Sequence, residues 1–295
     1  LNFPIGTDAV PNYMDGAFKL NFPLSNGGNL SWFGIAGNSN IQIKVSEYTE
    51  PSTDLYGIEN RDQFFRSSLG FSGLVYAKPL SDRTFFRIVV AGSRRLSAAH
   101  HELVWRDTTF AIDSITKKMG YRNTEDRVSA NFYFLHRISK KHTIKTGMFN
   151  DMYINNLIDS IYSEATYSFQ NRQDYSGTSM LIQPYVQWKY RPNDEVTINS
   201  GIHGQYFTLN GSYSVEPRIG MKWAFAEKQS IQIAAGLHSQ MLPAYVYYTH
   251  LPADSTPYVL HNKDVGFMKS IHSVLGYDVA VGNNARIKVE TYYQY

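Results

Sequence analysis

Along most of the chain apolar and polar residues alternate with a period of two, the spacing of a β-strand whose two faces meet different surroundings. In one such run Val215, Pro217, Ile219, Met221, Trp223 and Phe225 share a face, and Glu216, Arg218, Gly220, Lys222 and Ala224 share the other. Ile231, Ile233, Ala235, Leu237 and Met241 oppose Gln232, Gly236, His238 and Gln240. Ile182, Pro184, Val186, Trp188 and Tyr190 oppose Gln183, Gln187 and Lys189. Near the end of the chain Ile287, Val289, Tyr293 and Tyr295 oppose Arg286, Lys288, Glu290 and Gln294. Helical spacing fits none of these runs, so the fold class is all-β.

The connections are of two kinds. Short clusters of Asn, Gly, Pro, Asp, Ser and Lys, the residues of tight hairpins, lie at Ser25–Asn29, Pro79–Arg83, Ser139–His142, Arg191–Glu195, Ala226–Gln229 and Gly282–Ala285. Longer polar segments alternate with them: Ser46–Phe65, Ala99–Asp126, Asn156–Thr178 and Tyr248–Gly266, with the brief interval Leu209–Ser214 as the exception. Twelve strands are expected, over residues 12–24, 28–46, 66–79, 83–98, 127–138, 142–155, 178–191, 195–208, 214–225, 229–247, 267–281 and 285–295. Several reach about 10 residues, enough to cross a bilayer at a tilt, where strands of soluble sheets typically have about 5–6. Tight turns at one end and long loops at the other point to an antiparallel transmembrane β-barrel. A soluble sandwich or propeller shares the alternation but rarely the strand length or the one-sided loops.

Counting strands places the start of the first and the end of the last on the long-loop side. A complete bacterial barrel keeps both termini on the tight-turn side. The twelve strands, spanning residues 1–295, are therefore expected to be an internal piece of a larger barrel, with further strands on either side.

Composition narrows the classes. The 295 residues include no Cys, which excludes disulfides and thiolate metal sites. A formal charge of +3 gives no footing for nucleic-acid binding. No run approaches the roughly 18 apolar residues of a membrane helix, and mean hydropathy is mildly negative. Barrel strands average to such values because lipid-facing and lumen-facing residues alternate. With 22 Tyr and 17 Phe the chain is rich in aromatics. They gather near expected strand ends: Trp188 and Tyr190, Trp223 and Phe225, Tyr245 with Tyr247 and Tyr248, Tyr293 and Tyr295. A girdle at the membrane interface accounts for them. A stacking platform for sugars is the alternative at Trp105 and Tyr247–Tyr248.

Candidate chemistry is sparse. His100 and His101 are adjacent, beside Glu102. In extended chain such neighbours point to opposite faces and cannot readily chelate one metal. Arg94–Arg95, followed by His100, could bind an anionic ligand or lipopolysaccharide phosphate, or simply solvate a rim. Lys140–Lys141 reads as a polar turn. Glu47, Glu50, Asp54 and Asp62 show no paired carboxylate spacing. No catalytic, cofactor-binding or metal-binding residue is assigned, and no enzyme activity is expected.

Three stretches resemble the barrel of TonB-dependent outer-membrane receptors, particularly those common in Bacteroidetes: Ala17–Asn38, Leu69–Ser93 with its GLVYAKPLSDRTFFR hairpin, and His261–Val279 followed by NNARIKVETYYQY. The resemblance implies a 22-stranded barrel in the bacterial outer membrane, of which the twelve strands are a little over half. It also implies a plug domain absent from this chain, energy from the TonB complex acting through that plug, and uptake of a scarce solute such as a metal chelate, vitamin, peptide or glycan. It leaves room for a surface lipoprotein lid. On this reading Gln183, Gln187, Lys189, Asn199, His203, Gln205, Arg218, Lys222, Gln232, His238, Lys288 and Glu290 line the lumen or touch the plug, and the opposite face meets lipid. A structural or adhesive envelope barrel and a soluble all-β binding module are the competing functions.

Overall fold

The computed structural model describes residues 9–51, 58, 60–249, 262–282 and 284–295. Its strands are β1 (Asn12–Pro23), β2 (Asn29–Ile43), β3 (Arg61–Ser81), β4 (Thr84–Arg106), β5 (Ile112–Arg137), β6 (His142–Ser163), β7 (Ser168–Tyr190), β8 (Val196–Phe207), β9 (Ser212–Ala226), β10 (Gln229–Gln240), β11 (Met268–Val281) and β12 (Ala285–Gln294). They form one antiparallel sheet in which each strand pairs with the next, so that β1 and β12 are its edges. Each expected strand is present.

Two of the expected long loops are largely strand. β4 runs on to Arg106 and β5 starts at Ile112, so the segment Ala99–Asp126 contains a turn of only residues 107–111. β6 and β7 likewise meet across residues 164–167, inside Asn156–Thr178, and β3 begins at Arg61, inside Ser46–Phe65. In these outer parts both faces carry polar residues, so the alternation that reveals a strand fades although the backbone pairing continues. The strand expected over 229–247 is instead too long, for β10 stops at Gln240. Pro243, which lacks a ladder donor, follows shortly, and Ala244–Tyr247 form a single helical turn, α1. Asp54 and residues 250–261 of Tyr248–Gly266 lie outside the described residues.

The tip between β4 and β5 is built by its own side chains. Asp107 Oδ1 accepts hydrogen bonds from the Thr109 and Ala111 N–H groups at 2.8 and 3.0 Å, an Asx-type turn that carries Phe110 at φ 69°. Arg106 Nη2 donates to the carbonyls of Val45 and Tyr48 at 2.9 and 3.0 Å, tying the 3-10 turn Val45–Glu47 to this hairpin.

Register assigns the faces. Phe18, Gly34, Ser72, Gly92, Val128, Met152 and Met180 form one row across the first seven strands. The flanking row, Ala17, Ile35, Phe71, Ser93, Arg127, Tyr153 and Ser179, faces the other way. The first face exposes large apolar side chains in every part of the sheet, among them Leu20, Trp32, Leu74, Val90, Val128, Val186, Ile202, Ile219, Ile233, Leu275 and Val289. Monomeric soluble proteins rarely expose contiguous apolar surface on this scale, whereas a membrane barrel needs it. This outer face is the lipid-facing one. Near the tight-turn end His142, Trp188 and Tyr190 stack with ring centroids 4.7–5.7 Å apart. Phe86 lies 4.8 Å from Phe134, and Trp223 lies 5.6 Å from Phe225. These residues form the lower aromatic girdle.

The upper border is marked by charge. Arg94 lies eight residues beyond Phe86 on the same face of β4. At about 3.3 Å per residue and a tilt of about 40° that is a rise of about 20 Å, most of the roughly 25 Å apolar band. There Arg94 binds Asp126 of β5 through two hydrogen bonds of 2.6 and 2.7 Å. Above this pair the outer face turns polar.

Candidate functional site on the inner wall

The inner face carries polar and charged side chains. Lys145 on β6 places its ammonium 4.3 Å from the Tyr133 ring and 5.7 Å from that of Tyr185, a cation–π arrangement. All twelve residues assigned by alternation to the lumen, from Gln183 to Glu290, occupy the inner phase of the register.

A carboxylate organises the inner wall of β8, β9 and β10. Glu216 is fully buried. It accepts hydrogen bonds from Gln205 at 2.5 Å, Arg218 at 2.5 Å, His203 at 3.0 Å and Ser214 at 3.2 Å. From β10 the Ser239 N–H donates at 3.1 Å, and the Ser239 hydroxyl also donates to Glu216. A buried charge is tolerable only with such a set of partners. The result is a fixed, fully satisfied node and not a free acid or base.

Residues 241–249, which follow β10, fold inward. Tyr247 and Tyr248 are buried, Tyr247 against Phe207 and Tyr248 stacked on Tyr175 at 3.6 Å. With Tyr153, Leu157, Leu181 and Phe267 they form an apolar cluster on the inner face of β6–β8. Gln173 Nε2 donates to the Tyr245 carbonyl at 2.7 Å and to the Thr249 hydroxyl at 3.0 Å. Burial pushes the Tyr248 phenol above its ordinary pKa. Tyr247 and Tyr248 therefore belong neither to the girdle nor to an open stacking platform.

Between this inward loop and the upper inner wall of β3–β7 lies a cavity of about 680 Å³. Arg95, Asn123, Glu125, Asn155, Asp159, Arg172 and Gln173 contribute to its lining, with Tyr245 and Thr249 from the loop. Arg172 binds Asp159 at 2.8 Å, and Arg95 lies 3.4 Å from Glu125. Among the described residues the shielded side-chain oxygens of Asn123 and Asn155 have no hydrogen-bond partner. Buried acceptors normally have one, so the pair offers a place for N–H or O–H groups of a guest molecule or of water. Asn155 closes the expected strand 142–155, and Glu125 and Asn123 lie in the continuation of the expected strand 127–138. The inward loop leaves no such signal.

The remaining candidates disperse. His100 stacks on Phe64 on the outer face at 4.4 Å, while His101 packs edge-on to Phe65 on the inner face. Glu102 follows, opposite a bulge of β5 at Lys118. Among the described residues no group of three or more His, Asp or Glu is placed to hold a metal ion. Arg94 and Arg95 divide between the faces. Lys140 and Lys141 sit in the β5–β6 turn, and Trp105 donates to Thr116 Oγ1 at 2.9 Å near the β4–β5 tip.

Among solved structures the chain is similar to the ferric-catecholate import receptor Fiu of E. coli K12, with a TM-score of 0.70 at 10% identity over 97% of this chain and 52% of that one. The RagAB peptide transporter matches with a TM-score of 0.65 at 10% identity, over 96% of this chain and 40% of that one. The outer membrane transporter YddB from Escherichia coli matches at 0.52 and 8% identity, over 96% and 46%. The fold is that of the barrel wall of these outer-membrane receptors and transporters. No family model and no curated protein matches the sequence. The chain spans about half the length of these transporters, and its strands follow one another as a continuous part of a barrel wall. Outer-membrane barrels turn tightly on the periplasmic side, so the cavity beneath the inward loop opens toward the extracellular half of the lumen.

Proposed function

We propose that this chain forms part of the wall of an outer-membrane, TonB-dependent receptor that takes up a scarce solute. The observation that carries the reading is the extracellular inner-wall cavity, roofed by an inward-folded segment and lined by ion pairs and by two amide oxygens that have no partner among the described residues. Shielded acceptors that face a lumenal cavity are available to the donors of a guest molecule. The two sheet edges support completion by further strands, because lipid leaves open edges unsatisfied. A plug held against the inner wall, coupled to the TonB complex, is part of the proposal.

The solute is drawn from metal chelates, vitamins, peptides and glycans. The lining favours one that combines charge with N–H or O–H donors over an apolar one. The neighbours' own cargo, ferric catecholate and peptide by name, frames this range. A lipoprotein lid over the extracellular mouth fits the same scheme. The test compares solute uptake in cells carrying the wild-type gene or a deletion, with and without collapse of the proton gradient. Uptake that needs both the gene and the gradient supports the reading. Unchanged uptake combined with loss of a surface complex would favour an adhesive or structural barrel.

A further inference from the structure

On the outer face, above the Arg94–Asp126 pair, the long strands enclose a groove of about 770 Å³. Arg66 of β3 and Arg122 of β5 flank Ala98 of β4 in one register row, and Asn40 of β2 continues that row. His100 and Lys117 line the groove above it. The small side chain at Ala98 leaves the space between the arginines open. Strand spacing sets Arg66 and Arg122 roughly 10 Å apart. Arg66, Arg122 and Lys117 are exposed, and among the described residues none of them is in a salt bridge. None of the described residues lining the groove is acidic. Arg94 differs, since Asp126 already neutralises it.

Directly below, the same face holds an apolar furrow of about 470 Å³ along Gly16, Ala36, Gly70 and Gly92. A Cβ placed on Gly16 or Gly92 would meet nothing within 4 Å, so the furrow is open space and not close packing. From the Gly70 row to the Arg66 row is four residues, a rise of about 10 Å at a strand tilt of about 40°. A cationic groove with no acidic partner among the described residues, its Lys117 ammonium resting 5.6 Å from the Phe169 ring, thus stands at headgroup height over an acyl-width channel at membrane depth.

We propose that this face binds a phosphorylated glycolipid of the outer leaflet, with its phosphates between Arg66, Arg122 and Lys117 and one acyl chain in the furrow. Guanidinium groups suit phosphate because they donate in pairs. The proposal rests on the outer-membrane reading only for the orientation of the wall.

The test uses the full-length protein in detergent, with diphosphoryl lipid A as the probe. The dissociation constant for lipid A should rise at least about tenfold in Arg66→Gln/Arg122→Gln. Gly92→Leu, whose Cβ meets nothing within 4 Å and whose side chain fills the furrow, should weaken binding independently. Dephosphorylated lipid A should bind poorly, and millimolar inorganic phosphate should displace little of the probe. Lys140→Gln/Lys141→Gln, in a turn at the other end of the wall, should bind as wild type. Wild-type affinity in the double arginine variant overturns the proposal, as does an equal loss in the turn variant, which would indicate bulk charge. Full displacement by inorganic phosphate would assign the groove to free anions and also overturn it. Recovery of each variant in the outer-membrane fraction separates failure here from failure of the receptor reading.

Discussion

Ile219 sits at the centre of β9 with its side chain directed outward and 58% exposed, seven residues from both Ser212 and Ala226. Replacing it with Arg puts a charge near the bilayer midplane, which costs about 2–4 kcal/mol in a membrane barrel. Long side chains snorkel toward the interface, but the midpoint of a strand leaves the longest path. Val215 faces the same way but lies three residues from Ser212, so Val215→Arg should cost about 0–1 kcal/mol, the interfacial value. Lys222 lies on the inner face, exposed, across from Thr197 and Gln232. Lys222→Gln should fall within about 1 kcal/mol, since an exposed polar charge contributes little. The assay is equilibrium urea unfolding in phospholipid vesicles, followed by tryptophan fluorescence, with Trp188 and Trp223 on the lipid face as reporters. The expected order is a large loss at Ile219 and small ones at Val215 and Lys222. Equal, small effects at Ile219 and Lys222 would refute the assignment of faces. Equal, large effects at Ile219 and Val215 would refute the assignment of depth.

Three further perturbations test the inner wall and the extracellular tip. Glu216→Gln replaces an acceptor-only group with an amide whose NH2 confronts the Gln205, Ser239 and Arg218 donors, and should cost about 2–3 kcal/mol in thermal unfolding; an unchanged melting temperature would show that the node is not a structural constraint. Tyr248→Ala removes the ring stacked on Tyr175, a loss of about 3–5 kcal/mol of local packing, and should make residues 241–249 protease-sensitive while the barrel keeps its heat-modifiable gel mobility. Arg106→Ala frees the carbonyls of Val45 and Tyr48, removing about 1.5–3 kcal/mol per charged hydrogen bond, and should speed amide exchange at 45–48 at least tenfold; unchanged exchange would mean that the turn is held without this pin.

How far the sequence could be read follows from what gives alternation its contrast. Where one face meets lipid and the other water, as from Val215 to Phe225, the two sets of residues differ sharply and both strand and facing are legible. Above the membrane both faces meet water, so Ser97, Asn123, Asn155 and Ser176 carry no facing signal although each lies in a regular ladder. Chemistry concentrates in this silent region. The lumenal cavity and the outer cationic groove are built from the same stretches of β3–β6, separated only by register parity: Arg95, Asn123 and Asn155 turn inward where Arg66, Ala98 and Arg122 turn outward. The sequence motif Arg94–Arg95 drew attention because its charges are adjacent, yet adjacency in a strand sends them to opposite faces, each to its own carboxylate. Arg66 and Arg122, far apart in the chain and unremarkable in it, flank Ala98 in one row and have no acidic partner among the described residues. Ligand-competent charge in such a wall is therefore a property of rows across strands, and register, which no single strand encodes, must be known before it can be seen.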